Sequence, residues 1–371
     1  MSTKVETAVS TAQTSRDATP DTSKDEKPPN YKRLTDDDLY RHSSQFRFWS
    51  FTPLKLQAQR DETNRRAVTQ IQEKLQNFKD ANKDDLNEDV LKVIDSKAQP
   101  VNSAEELKLV NFYAQKVQVI AQKMGLPTEV VATSISFFRR FFLKNSVMEI
   151  EPKDIVHTTI FLACKSENYF ISVDSFSKKA KASKEAILKY EFKLLESLQF
   201  TLLNHHPYKP LHGFFLDIQS VLHGKIDLKY MGKIYDRCKK SITEALLTDA
   251  VYIYTPPQIT LASLMLEDEA LTTRYLELKF HGPDAPKPEE VKTEGSTDDT
   301  KHDISNINFD KLVNVIQSCK EMLENSTSVS TQEAKEIMAK IYYCHNPMAL
   351  VNRLKREATN EGESPVKKQK V

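Results

Sequence analysis

Glycine is scarce, with 7 in 371 residues, and three of these (Gly282, Gly295, Gly362) fall in polar stretches. No glycine-rich loop is left to cradle a phosphate, which argues against a nucleotide-binding enzyme. Cysteine is scarce too. Cys164, Cys238, Cys319 and Cys344 stand far apart with no CxxC spacing, so reduced thiols are expected rather than a disulfide frame or a zinc site. No apolar run reaches the length of a membrane span, and no signal peptide is read at the start. An excess of either charge is missing as well. Lys and Arg number 53 against 52 Asp and Glu, a net charge of +1. A general binder of DNA or of membrane surfaces would carry a basic excess.

What is present is a well-punctuated series of helices. Low glycine, with proline concentrated between apolar segments, indicates an all-α fold. Ser103 with Glu106 reads as a capping box. Leu107, Val110, Ala114, Val117, Ala121 and Met124 follow at steps of three and four until Gly125. Pro127 opens a second helix with Val131, Ile135, Phe138 and Phe142 on one face. Pro152 opens a third, 154–167, whose run "TTIFLACK" is apolar all round, as in a helix surrounded by others. Val173, Phe176 and Ala180 mark a short fourth. Ser183 caps a fifth bearing Ile187, Leu194, Leu195 and Leu198. The pattern then restarts: "IFLACK" (160–165) aligns with "ITLASL" (259–264), 99 residues on, so two tandem helical repeats of about 100 residues are expected. Leu264 stands where the first copy has Lys165, so the fold itself does not require that lysine.

The expected organisation is a disordered tail at 1–34, an N-terminal helical extension at 35–103, a first repeat at 104–203 and a second at 204–328. The second repeat carries a disordered insertion at 281–305. A C-terminal helix at 329–356 and a basic tail at 357–371 follow. The three polar stretches have almost nothing apolar to bury.

Glu191 falls between Ile187 and Leu194, on an apolar stripe. A buried lone carboxylate costs several kcal/mol, so it seeks a cation. Two readings stand: the side chain reaches solvent at the stripe's margin, or it pairs with Lys165 to grip a partner's backbone. Cys164 reads as a small buried thiol rather than a nucleophile, since no His and Asp accompany it at a family spacing. His205 and His206 read as a turn between the repeats, with no second ligand pair for a metal. Cys344-His345 before Pro347 reads as a helix end. Trp49, the sole tryptophan, sits with Phe46, Phe48 and Phe51. Such a cluster docks a tail onto its own domain or meets a partner. "SPVKKQKV" has the form of a nuclear import signal (Lys367, Lys368, Lys370) and of a proline-directed phosphorylation site at Ser364.

These residues resemble the cyclin family, and within it the cyclin H type. Lys165 in "FLACKSE" and Glu191 in "LKYEFKLLESLQF" match the lysine and glutamate with which cyclins hold a kinase's regulatory helix. "FFRRFFLKNSVMEIEP", "HHPYKPLHGFFLDI", "LLTDAVYIYTPPQITLA" and "YRHSSQFRFWSF" carry the rest of the likeness, over about 35–350. The resemblance implies two tandem five-helix cyclin boxes with extra N- and C-terminal helices. It also implies a non-catalytic kinase activator without cofactor or metal, whose kinase-binding residues are Lys165, Glu191, Leu162, Leu195, Phe200 and Leu202. The implied partners are a cyclin-dependent kinase of the CDK-activating type, a ring-finger assembly factor and the core of transcription factor IIH. Action in the nucleus, on the RNA polymerase II C-terminal repeats, is implied, without direct nucleic-acid or membrane contact. A cyclin C- or K-type transcription cyclin is the near alternative. A IIB-type DNA-bound initiation factor is the distant one, for the first 100 residues hold no cysteine for a zinc ribbon. Asn168 replaces a glutamate common in the family, and Ser166 an aromatic residue. The first helix lacks the Met-Arg-Ala-Ile-Leu patch with which cell-cycle cyclins dock substrates.

Overall fold

The computed structural model describes residues 40–83, 86–282 and 299–361. The chain divides into 1–41 and 42–371; all elements below belong to the second unit. Its described residues are helical, with no strand among them. The expected tail 1–34, most of the insertion and the segment with Ser364, Lys367, Lys368 and Lys370 lie outside the described residues.

Three helices precede the repeats: α1 (Ser44–Trp49), α2 (Pro53–Ala81) and α3 (Glu88–Lys97). Each starts on a residue suited to hold a free N–H. Ser43, Thr52 and Asn87 accept from Phe46, Lys55 and Val90. The first repeat follows as α4 (Ser103–Lys123), α5 (Thr128–Lys144), α6 (Pro152–Ser166), α7 (Val173–Ala180), α8 (Lys184–Leu188) and α9 (Glu191–Ser197). The capping box of α4 lies one residue earlier than the sequence reading placed it. Asn102 accepts from Glu105 N at 2.9 Å and Glu105 Oε2 accepts from Asn102 N at 3.0 Å. Ser103 instead donates to Asp61 on α2, and Glu106 turns inward to Ser146. The fifth helix is broken at Lys189–Tyr190 into α8 and α9. The break gives Glu191 a helix N-terminus of its own, where a carboxylate is favoured by the dipole.

The second repeat comprises α10 (Tyr208–Val221), α11 (Leu228–Ala245), the short α12 (Ala250–Ile253), α13 (Pro256–Glu267), α14 (Glu269–His281) and α15 (Asp299–Glu324). α15 begins inside the stretch whose composition reads as insertion, because a helix needs no apolar residue in its leading turns. Two helices close the chain, α16 (Thr331–His345) and α17 (Pro347–Glu361). The latter passes the expected end at 356.

Two cores result. One collects Phe137, Phe141, Ile155, Ile160 and Leu194 of the first repeat together with Trp49 and Ile71 before it and Ile337 and Leu350 after it. The other belongs to the second repeat, with Leu211, Ile234, Ile259 and Ile316. The C-terminal segment packs on the first half: α16 against α4 of the first repeat, and α17 against α3 of the N-terminal extension. α6 is the axis of this half, with every residue from Ile155 to Cys164 buried except His157. α13 occupies the same place in the second half, buried from Ile259 to Met265.

Candidate functional site

α6 leaves the core through Lys165. The helix is stopped by Asn168, whose φ of 55° is left-handed, a conformation asparagine tolerates better than most residues. Tyr169 N donates back to Cys164 O at 2.8 Å, closing the end. Asn168 at this place is thus a helix stop, and a glutamate there would adopt the same backbone less readily.

Lys165 Nζ lies 2.5 Å from Glu191 Oε1 across the gap between α6 and α9, and 4.5 Å from the centre of the Phe161 ring. The side chains are 48% and 23% exposed. The two side chains pair, as one reading expected, and they also reach solvent, as the other did. An ammonium with three donors and a carboxylate with two acceptor oxygens have hydrogen-bonding capacity beyond this one contact.

The apolar surroundings differ from the expected set. Leu162 is only 3% exposed and belongs to the core. It is one turn before Lys165 but inside a helix enclosed on all sides, so it offers no surface. Leu195 and Leu202 are half-buried, while Phe200 is 64% exposed. Sequence reasoning missed Phe170 (95% exposed), Phe192 (71%), Leu188 and Leu203. Phe170 follows the Asn168 stop, and Phe192 adjoins Glu191. Leu203 follows Leu202, whose carbonyl accepts from Ser166 Oγ at 3.0 Å. The available signal was position: Phe192 lies two residues from Leu194, on the side of α9 away from the stripe. An apolar side chain there has no core to enter. Large exposed apolar groups gathered about a charged pair mark an interaction surface.

Other candidate residues prove structural. Burial pushes the Cys164 thiol up to about 11, so it is no nucleophile at neutral pH. His206 accepts no proton near neutrality, since burial brings its pKa down to about 3. Its Nε2 lies 2.7 Å from Thr133 Oγ1, which donates to Glu167 at 2.6 Å. No group of three metal-ligand side chains occurs among the described residues. His345 Nε2 lies 2.7 Å from Met148 O, tying α16 to the first repeat. Trp49 is buried in its own chain, beneath the Arg140 guanidinium.

Comparison with known proteins gives this surface its context. Residues 94–203 match the cyclin N-terminal domain family and residues 206–324 the cyclin C-terminal domain family. The chain is 58% identical over 370 residues to Cyclin CCL1 of Saccharomyces cerevisiae, covering 93% of this chain and 91% of that one. The chain belongs to the cyclin family. It is of the cyclin H type, a regulatory subunit rather than a kinase. Cyclin mcs2 of Schizosaccharomyces pombe is 32% identical over 243 residues, 65% of this chain and 73% of that one. A putative cyclin-H of Dictyostelium discoideum is 31% identical over 233 residues, 61% and 75% of the two chains. Among solved structures, the yeast TFIIK (Kin28/Ccl1/Tfb3) complex holds a chain matched at 58% identity and TM-score 0.58, over 76% of this cyclin and all of that chain. The CAK complex of Chaetomium thermophilum bound to ATP-gamma-S holds one matched at 25% identity and TM-score 0.69, over 91% of this cyclin and all of that chain.

Proposed function

We propose that this cyclin binds and activates a Kin28-type cyclin-dependent kinase through the surface built on Lys165 and Glu191. The observation that carries the reading is the exposed ion pair at the exit of α6, amid exposed Phe170, Phe192 and Phe200. The cyclin selects the kinase state whose regulatory helix is turned inward, completing the kinase's own Lys–Glu pair. Lys165 holds main-chain carbonyls of that helix, while Phe200, Leu195 and Leu202 cover its apolar side. The complex includes a ring-finger subunit of the Tfb3 kind and works within transcription factor IIH, on the polymerase C-terminal repeats. Residues 364–371 serve nuclear import, and deleting them lowers nuclear accumulation.

The test is a pair of single substitutions, Lys165→Ala and Glu191→Ala. The pair is solvent-screened in the free cyclin, so melting changes by about 1 kcal/mol or less. Binding of recombinant Kin28-type kinase weakens by about 2 kcal/mol or more, roughly thirtyfold. Strong destabilisation of the free cyclin with normal binding per folded molecule would overturn the reading.

A further inference from the structure

After α9 the chain does something costly. Gln199 and Phe200 have φ of 53° and 55°, two successive residues with Cβ atoms in the left-handed region. The first is accounted for by the way the helix ends. Gln199 N donates to Glu196 O at 2.9 Å and Phe200 N to Leu195 O at 3.0 Å, the paired bonds of a Schellman stop. Such a stop needs one left-handed residue, and its following apolar residue ordinarily folds back on the helix. Here that residue is Phe200, also left-handed, with its ring largely in solvent.

Helix α1 adds side-chain bonds to the backbone bond that holds this second residue. The Trp49 indole, a donor only, gives its Nε1–H to Thr201 Oγ1 at 2.8 Å. The Thr201 N–H donates to Leu198 O at 3.0 Å and closes the turn through Gln199 and Phe200, and the Thr201 hydroxyl passes its own hydrogen to the same carbonyl at 2.6 Å. One helical turn earlier, Gln45 takes both backbone groups of His205. It accepts from His205 N at 2.7 Å and donates to His205 O at 3.2 Å. Trp49 itself is buried and covered by Arg140. The segment after Phe200 is thus pinned to α1 at two points, four residues apart. Backbone held in a sparse region persists where the surroundings over-determine it, and such places serve function.

We propose that Trp49 and Thr201 are positioning residues: through the chain Trp49–Thr201–Leu198 they hold the Gln199–Phe200 turn so that the Phe200 ring is presented outward, ready for the kinase. The N-terminal helix then shapes the kinase-binding surface without joining it. This rests on the reading of Phe200 as kinase-facing, so two separate measurements are needed.

The first uses the free full-length cyclin and reads hydrogen exchange of the Phe200 amide, the donor to Leu195 O. Thr201→Val keeps the shape of the side chain and removes the hydroxyl. It raises exchange at Phe200 about fivefold or more, the worth of one net hydrogen bond. Thr201→Ser, which keeps the hydroxyl, leaves exchange near the parent value, and Trp49→Phe follows Thr201→Val. The second is a titration with recombinant Kin28-type kinase at a temperature where every variant is folded. Thr201→Val weakens binding by a similar factor with melting little changed, Thr201→Ser restores it, and Phe200→Ala weakens it more. Gln199→Gly, which relieves the first left-handed residue and loosens the turn, binds more weakly without melting earlier. Unchanged exchange at Phe200 in Thr201→Val overturns the positioning role. Raised exchange with unchanged kinase binding in both Thr201→Val and Phe200→Ala overturns instead the kinase-facing reading and the proposal with it. If Trp49→Phe does not fold, the Thr201 pair decides alone.

Discussion

Glu106 shows how far one side chain can depart from its sequence reading. Its spacing from Ser103 looked like a cap, yet the carboxyl is buried, receives the Ser146 hydroxyl and faces Glu149. Burial pushes its pKa up to about 7 from 4.5, outweighing the Ser146 and Asn64 hydrogen bonds. The folded value lies above the unfolded one, so the folded state holds the proton more tightly. The associated stability is fully present below about pH 4.5 and is lost as pH rises towards 7, levelling off beyond it. The amount is on the order of 3 kcal/mol. Chemical denaturation of the parent and of Glu106→Gln between pH 4.5 and 8 checks this. The parent weakens across the window and the glutamine variant stays flatter. Equal slopes would mean that Glu106 ionises as freely as in the unfolded chain. At this scale the sequence is a partial guide. It marked Lys165 and Glu191 through their neighbours and Phe200 only through the family likeness, but burial is decided by elements far along the chain. Nothing near Glu106 reveals Asn64, and nothing near Phe170 reveals that no element among the described residues covers it.

Elements were more legible, because a helix carries its own start, stop and period. Gly125, with φ of 69°, stops α4, and Pro152 begins α6. The apolar girth of "TTIFLACK" and "QITLASLML" marked the two central helices. The same girth already implied a buried Leu162, and the family likeness drew it wrongly to the surface. The break between α8 and α9 escaped, since Lys189 and Tyr190 carry no proline or glycine to announce it. The comparison of the two central helices yields its own expectation. Leu264, the counterpart of Lys165, is buried in α13 beside Ile259 and Met265. α6 ends one residue past its lysine, at Ser166, whereas α13 runs three residues past Leu264, to Glu267. Leu264→Lys therefore places a charge in the second core and costs about 3–5 kcal/mol. It creates no second kinase site. A denaturation midpoint and a binding stoichiometry measure both effects; a stable variant that binds two kinases would reverse the assignment.

The whole molecule depends on a charge cluster that no local pattern reveals. Asp249 precedes α12 in the second repeat. Arg60 of α2 meets it with both terminal nitrogens, at 2.7 and 2.6 Å, and Arg139 of α5 meets it at 2.8 Å. Arg139 also donates to Asn111 at 2.6 Å and to Leu247 O at 2.5 Å. N-terminal extension, first repeat and second repeat thus converge on one carboxylate 189 residues from Arg60. Burial pushes the Asp249 pKa up, but the Arg60 hydrogen bonds and the Arg139 and Arg60 charges outweigh it and hold the group below the usual carboxylate range. Its stabilisation is present above the unfolded value and is lost as acid protonates the folded form. The two cores also meet through apolar groups, since Leu246 and Tyr252 of the second repeat lie in the first core and Tyr208 and Val251 pack against both; the cluster adds a buried ionic link at this junction. Asp249→Asn keeps the shape and removes the charge. Arg139, almost wholly buried, is left without its anion, at a cost of about 3–5 kcal/mol. The loss falls on the junction rather than on either core. In calorimetry a single endotherm in the parent therefore divides into two in the variant, the first repeat with its end helices melting apart from the second. A variant that melts in one transition, merely lowered, would place the coupling of the repeats elsewhere, in contacts such as Phe51 N to Tyr252 O.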